Sequence, residues 1–156
     1  MGAKNDAGTR ADRGNEMING VTIKNLEVKK DERGWFAEIL RSNEIDNPKF
    51  GQMYVTTATP GQTKGKHYHT RKTEWFCVIK GNGLLTLIDN ESGEKQEIEL
   101  GENNMVTVKI PPRVWHAIKN NQKDEMYLIA HISEAYNPED PDTISKLVSN
   151  EIKEER

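Results

Sequence analysis

From Val21 to Ile132 the chain is a succession of short runs in which apolar and polar residues alternate. VTIKNLEV, GWFAEIL, QMYVTTA, TEWFCVIK, GLLTLID, KQEIEL, MVTVKI and MYLIAHI each have this pattern. A period of two puts alternate side chains on opposite faces of an extended segment, so each run predicts a strand. Turn signals separate them at Asp31-Glu32-Arg33-Gly34, Thr59-Pro60-Gly61, Lys80-Gly81-Asn82-Gly83 and Asn90-Glu91-Ser92-Gly93. Many short strands without helices between them favour an antiparallel sandwich or barrel. Beyond His131 the pattern changes. NPEDPD reads as a connector, and DTISKLVSNEIKEER has helical spacing with Asp142 or Thr143 as N-cap, so a short C-terminal helix is expected. Residues 1–16 are polar and without periodicity, as in a disordered tail or expression remnant, with Met17 as the native start. Residues 17–156 are then one domain, with no internal repeat.

Composition narrows the function. A length of 156 residues allows one domain with a real core, and 34% hydrophobic against 30% charged residues describes a modest core beneath a well-solvated surface. The net charge of -3, with both signs dispersed, argues against nucleic acid as a partner. One cysteine, Cys77, excludes an internal disulfide and a cysteine-rich zinc site, and its apolar neighbours predict a buried small side chain. No stretch is long and apolar enough to predict a membrane span or signal peptide, so a cytoplasmic location with no membrane partner is the default expectation.

The chemistry concentrates in two segments. Gly61 to Gly81 reads G-x5-H-x-H-x4-E-x6-G and holds His67, His69 and Glu74; Pro111 to Asn120 reads P-x-R-x2-H-x3-N and adds His116. On a strand His67 and His69 share a face, and Glu74 and His116 must join them from neighbouring strands. Three imidazoles and a carboxylate converging in a barrel would hold a divalent metal with positions open to substrate. The two segments resemble the two-part motif of the cupin superfamily. The first matches in every spacing; the second departs at Arg113, where the family usually has Gly. The resemblance implies an all-β cupin double-stranded β-helix, or jelly-roll barrel.

Within the cupins, DERGWFAE (31–38), Phe50-Gly51-Gln52, Lys64-Gly65-Lys66-His67-Tyr68, Ile110-Pro111-Pro112 with His116, and Tyr136-Asn137-Pro138-Glu139 resemble segments of dTDP-4-dehydrorhamnose 3,5-epimerases. Those enzymes work without metal and have Gln where this chain has His69, and their enolate-stabilising Lys has no basic counterpart here. GKHYHTRKTEWF and the tail Asn137 to Thr143 are more similar still to the C-terminal cupin domain of bifunctional UDP-sugar enzymes of capsular polysaccharide synthesis. That resemblance implies a metal-containing epimerase acting on a nucleotide-linked 4-keto-6-deoxyhexose.

Epimerisation beside a ketone needs a base, a group that holds the enolate oxygen, and an acid on the other face. A metal on His67, His69, Glu74 and His116 could polarise the ketone. Zinc is the first expectation, with iron, nickel or manganese as alternatives. His67 would be the base by analogy with the metal-free enzymes, and cannot be base and ligand together. The other acid–base candidates are Tyr54, Tyr68, His131 and Tyr136. Alternation along YLIAHIS could aim His131 into the barrel; a structural histidine in the core is the alternative. Tyr68 alternates away from the histidines and is expected to pack behind them. Arg33, Lys64, Arg71, Lys72 and Arg113 could meet a diphosphate, and Trp75 or Trp115 could stack on sugar or base. The resemblance also implies a homodimer, with Val21 to Val28 as the pairing strand. Two rival functions stay open: an iron-dependent dioxygenase using the same ligands, and a non-catalytic sugar-binding module.

Overall fold

A computed structural model describes residues 17–46 and 49–145. Among these residues the chain forms eleven strands: β1 (Thr22–Asn25), β2 (Lys29–Asp31), β3 (Gly34–Phe36), β4 (Gln52–Ala58), β5 (Thr63–His67), β6 (Glu74–Lys80), β7 (Asn82–Asp89), β8 (Lys95–Gly101), β9 (Val106–Ile110), β10 (Val114–Lys119) and β11 (Met126–Ile132). Two antiparallel sheets carry the fold, one ordered β1-β9-β6-β11-β4 and the other β5-β10-β7-β8, with β2 and β3 as a separate hairpin. From β4 to β7 successive strands change sheet, and they change again from β8 to β11. Such crossing back and forth is what the jelly-roll expectation requires, and the two sheets enclose the core between them.

That core is built by the period-two pattern. Phe76 and Val78 of β6, Leu85 and Leu87 of β7, Ile98 and Leu100 of β8, Val106, Val108 and Ile110 of β9, Val114 and Ile118 of β10, and Met126, Leu128 and Ala130 of β11 form one buried cluster. Full burial of a Leu or Ile side chain stabilises by about 1.5–3 kcal/mol, so these positions dominate the fold's energetics. Cys77, on the other face of β6, is fully buried too, and burial raises its thiol pKa to about 11, as suits an unreactive packing residue.

Several sequence expectations change here. GWFAEIL supplies a strand only at Gly34–Phe36. The segment TKGKH, which has no apolar alternation, is strand β5. It is held by backbone pairing to β10, with a register shift between His116 and Ala117. Gly65 has a φ of 91°, and a Cβ there would lie 3.0 Å from the His116 carbonyl oxygen, so the close approach of β5 to β10 requires glycine. Val21 to Val28 pairs in part with its own chain, Thr22–Asn25 lying against β9. The helix expected from Asp142 or Thr143 does not begin there. Asp142 has a φ of 45° and Ile144 makes an antiparallel bridge with Tyr68, while residues 146–156 lie outside the described residues. No helix among the described residues is long and apolar enough to cross a membrane.

Candidate metal centre

Three strands and one loop deliver the four expected ligands. His67 ends β5, Glu74 opens β6, and His116 lies in β10 directly opposite His67. His69 comes two residues after β5, in the loop that leads to β6. The strand alternation expected to place His67 and His69 on one face therefore stops at His67, yet both rings reach the same point. One ligand atom from each of His67, His69, Glu74 and His116 lies within 4.8 Å of every other.

Burial and hydrogen bonding set the state of each group. His116 is buried, and its Nδ1–H donates to the Val114 carbonyl at 3.0 Å. This leaves the Nε2 lone pair facing Glu74 at 3.9 Å, buried and without a hydrogen-bond partner. Burial holds the pKa of His116 below its ordinary value. The Nδ1–H of His69 donates to the Asp142 carbonyl at 2.6 Å, and its Nε2 lies 2.5 Å from Glu74 Oε1. Burial opposes a charge on His69, but the Glu74 carboxylate outweighs it and raises the pKa. Burial likewise works to raise Glu74, but the hydrogen bond from His69 and the facing imidazoles hold its carboxyl below the usual range. Burial, followed by the neighbouring His116 and His69, lowers His67 to about 4, so its ring is neutral near pH 7.

This set fits a divalent cation. An orphaned imidazole nitrogen in a closed cluster is costly unless something accepts its lone pair. The Nδ1–H of His69 and of His116 is committed to a backbone carbonyl, which turns both Nε2 atoms towards Glu74, the arrangement metal-binding histidines adopt; without an ion, His69 Nε2–H donates to the Glu74 carboxylate, a proton that metal binding would displace. Imidazole and carboxylate together suit zinc and the other first-row divalent ions.

Beside the cluster lies a cavity of about 370 Å³, lined among others by Tyr54, Thr56, Lys64, His67, Phe76 and Leu128. Tyr54, an expected acid–base candidate, has its hydroxyl 3.3 Å from Glu74 Oε2 and donates to it. Burial and then the Glu74 charge push its pKa well above the usual phenol value, so Tyr54 keeps its proton. Lys64, an expected anion contact, stands at the same cavity with its side chain exposed.

The remaining candidates sit elsewhere. His131 is not in the barrel. The even-numbered residues of β11 face the core, and His131 projects from the opposite face, stacked between Trp75 at 5.1 Å and Phe50 at 5.7 Å. Trp75 thus packs on that outer face, not over the cluster. Trp115 also points away from the core that Val114 and Ile118 enter. Tyr136 is exposed, its backbone N–H donating to Gln52 and its ring 5.9 Å from the Lys72 ammonium. Arg33 is paired with Asp31 in the exposed hairpin, Arg71 with Glu134 and Asp140, and Arg113 with Glu91. Lys72 is buried and donates to the Pro141 carbonyl. Tyr68 is buried and makes the bridge to Ile144. Arg113 has a φ of 67°, which explains why glycine is usual at that position of the motif. Sequence reasoning missed Asp142 as a partner of the cluster, because the polar residue before TISKL reads as a helix cap.

A jelly-roll barrel with three histidines and a glutamate gathered in one cluster, which meets a cavity at His67, is a cupin-type barrel with a candidate metal centre. The chain belongs to the polysaccharide biosynthesis C-terminal domain family, which it matches over residues 29–144. It is 31% identical over 131 residues to the spore coat polysaccharide biosynthesis protein SpsL of Bacillus subtilis, covering 81% of this chain and 87% of that protein. It is 34% identical over 118 residues to UDP-2-acetamido-2,6-beta-L-arabino-hexul-4-ose reductase of Pseudomonas aeruginosa, where it covers 76% of this chain but spans only 30% of that protein. In fold it is similar to the 3,4-ketoisomerase QdtA from Thermoanaerobacterium thermosaccharolyticum, solved as a mutant in complex with TDP-4-keto-6-deoxyglucose. The TM-score is 0.70 at 21% identity, over 83% of this chain and 90% of that one.

Proposed function

We propose that the protein is a metal-dependent epimerase or isomerase of a nucleotide-linked 4-keto-6-deoxyhexose in surface-polysaccharide synthesis. The observation that carries this reading is the cluster of His67, His69, Glu74 and His116 meeting a sugar-sized cavity at His67. Family membership and the sugar-nucleotide chemistry in the names of its relatives support the substrate class.

A divalent metal held by these four residues, zinc first among the candidates, would polarise the sugar ketone and so acidify the adjacent C–H. The chain's own groups supply ligand orientation, an acid and an anion contact, and the base is assigned only in the second reading below. The Val114 and Asp142 carbonyls orient His116 and His69. Tyr54 holds a proton at the cavity wall and is assigned as the acid. The Lys64 ammonium at the rim attracts the diphosphate. A second reading also has an observation behind it: His67 is neutral and lines the cavity, as a base must. His69, Glu74 and His116 would then hold the metal and His67 would abstract the proton. His67→Gln separates the two, since lost metal makes His67 a ligand, and retained metal with lost turnover makes it the base.

Proton exchange tests the function. Metal-replete protein is incubated in D2O with UDP- and dTDP-4-keto-6-deoxyhexoses and followed by NMR. Deuterium at C3 alone is expected of a single epimerase, at C3 and C5 of a double epimerase, and at C4 of the 3-keto product of a ketoisomerase. No exchange with either nucleotide series sinks the enolate chemistry and favours a binding module.

A homodimer and a cytoplasmic location belong to the same proposal. Every residue of the β2–β3 hairpin is exposed, including Trp35 and Phe36. Strand β4 ends its sheet with Met53 and Val55 exposed beside Phe50. An isolated hairpin is at best marginally stable in water, and apolar surface of this kind is best covered by a second copy. Sedimentation at twice 17.8 kDa is expected; a monomer at high micromolar concentration rules the pairing out.

A further inference from the structure

Of the four candidate ligands, His69 is the one that no strand holds. His67, Glu74 and His116 all sit on β-strands, whereas His69 lies in the loop between β5 and β6. What fixes this loop is a strap formed by the C-terminal segment 140–144. Tyr68 N–H donates to the Ile144 carbonyl at 2.9 Å, and Ile144 N–H donates back to Tyr68 at 3.0 Å. The Asp142 carboxylate accepts from Thr70 N–H at 2.9 Å and from Thr70 Oγ1 at 2.5 Å through one oxygen, and from Arg71 N–H at 2.9 Å through the other. Lys72 Nζ donates to the Pro141 carbonyl at 3.1 Å, and Arg71 bridges to Asp140 at 3.0 Å. At the centre of the strap Asp142 adopts a φ of 45°, a conformation costly for most side chains but open to Asp, Asn and Gly. The same residue aims its own carbonyl at His69 Nδ1, 2.6 Å away.

We infer that Asp142 is a positioning residue for the metal centre, and that its carboxylate and carbonyl together set the ring of His69. The inference rests on the metal-site reading above. The carboxylate locks the backbone of residues 70 and 71, and the carbonyl holds His69 Nδ1–H and with it the orientation of the ring. With both in place, Nε2 is presented to Glu74 and His116 before any ion arrives. Without the carboxylate, the loop regains conformations in which His69 points elsewhere, and metal binding must bear the cost of ordering it. Groups that orient a metal-binding histidine commonly contribute about 10–100-fold to metal affinity.

The test uses the whole chain stripped of metal, titrated with Zn²⁺ against a chromophoric chelator, and with Co²⁺ to read the ligand field by absorption. Asp142→Gly keeps the left-handed backbone and removes only the carboxylate. The expected result is a Zn²⁺ dissociation constant raised about 10–100-fold, with an altered Co²⁺ spectrum. Asp142→Asn, which offers one oxygen acceptor in place of two, is expected to fall between it and the parent. It also decides the matter if the glycine variant does not fold. Parent-like affinity and spectrum in a folded Asp142→Gly, or in Asp142→Asn where only that variant folds, overturn the inference while leaving the metal site standing. Failure of the parent protein itself to bind Zn²⁺ overturns the metal reading instead.

Discussion

The molecule buries imidazoles in two places, and only one of them gathers the rings around a carboxylate. Between the sheets, His67, His69 and His116 converge on Glu74. On the outer face of the five-stranded sheet, His131 is stacked between Trp75 and Phe50, with neither ring nitrogen hydrogen-bonded. Burial lowers the pKa of His67, His116 and His131 alike. A depressed histidine pKa by itself therefore says little here. What separates the sites is the company each ring keeps: a carboxylate and ring orientations set by backbone carbonyls in one case, two aromatic faces in the other.

Substitution should break that contrast most strongly at the ligands. Glu74→Gln and His116→Ala are each expected to lower metal affinity by about 100-fold or more, while His131→Phe leaves it unchanged; metal analysis after dialysis reads the difference. Retention of full metal by both ligand variants would refute the four-residue site. Next in size is Tyr54→Phe. It removes the one hydroxyl that reaches Glu74 from the cavity wall. Solvent exchange into substrate should slow by about 100-fold, the scale of a lost general acid, with metal content intact.

The pH dependence is a smaller effect. An imidazole held neutral in the folded state takes up its proton more readily when the chain unfolds. For His67, depressed from 6.5 to about 4, stability of the metal-free protein should decline as pH falls from about 6.5 towards 4. His67→Gln should flatten that part of the melting-temperature profile; an unchanged slope would mean that other groups set it. The smallest expected change is at the outer histidine. His131→Phe replaces two unsatisfied buried nitrogens with carbon and should stabilise the fold by about 1 kcal/mol in urea titration. A loss of stability would indicate that a water or a partner satisfies His131.

Much of the fold was legible along the chain. QMYVTTA and MYLIAHI coincide with β4 and β11, and TEWFCVIK, GLLTLID, KQEIEL and MVTVKI lie within a residue or so of β6 to β9. Strands such as β7 and β8 bury one face against the core, so burial writes itself into their alternation, while β6 and β9 are buried on both faces and read as short apolar runs. The strand TKGKH was not legible by that rule, since four of its five residues are polar or charged and β10 holds it by backbone hydrogen bonds that any side chain permits. The site divides in the same way. The gathering of His67, His69, Glu74 and His116 was readable because candidate metal ligands are recognised by residue type at particular offsets. Which of the expected cationic side chains stand at the cavity was not. Of Arg33, Lys64, Arg71 and Arg113, only Lys64 reaches the cavity, and the three arginines are engaged with neighbouring carboxylates.

By itself the sequence determined the all-β architecture, the four candidate ligands and the family resemblance, because each depends on local periodicity or on fixed spacing between residue types. Tertiary structure alone decided which face of β11 carries His131, which charged side chains meet the cavity, and that Asp142 braces a ligand loop where a helix cap was expected. Those outcomes depend on how far-separated segments meet, as when residue 142 closes over residues 69 to 71. A contact across some seventy positions leaves no period and no fixed spacing for a single sequence to display.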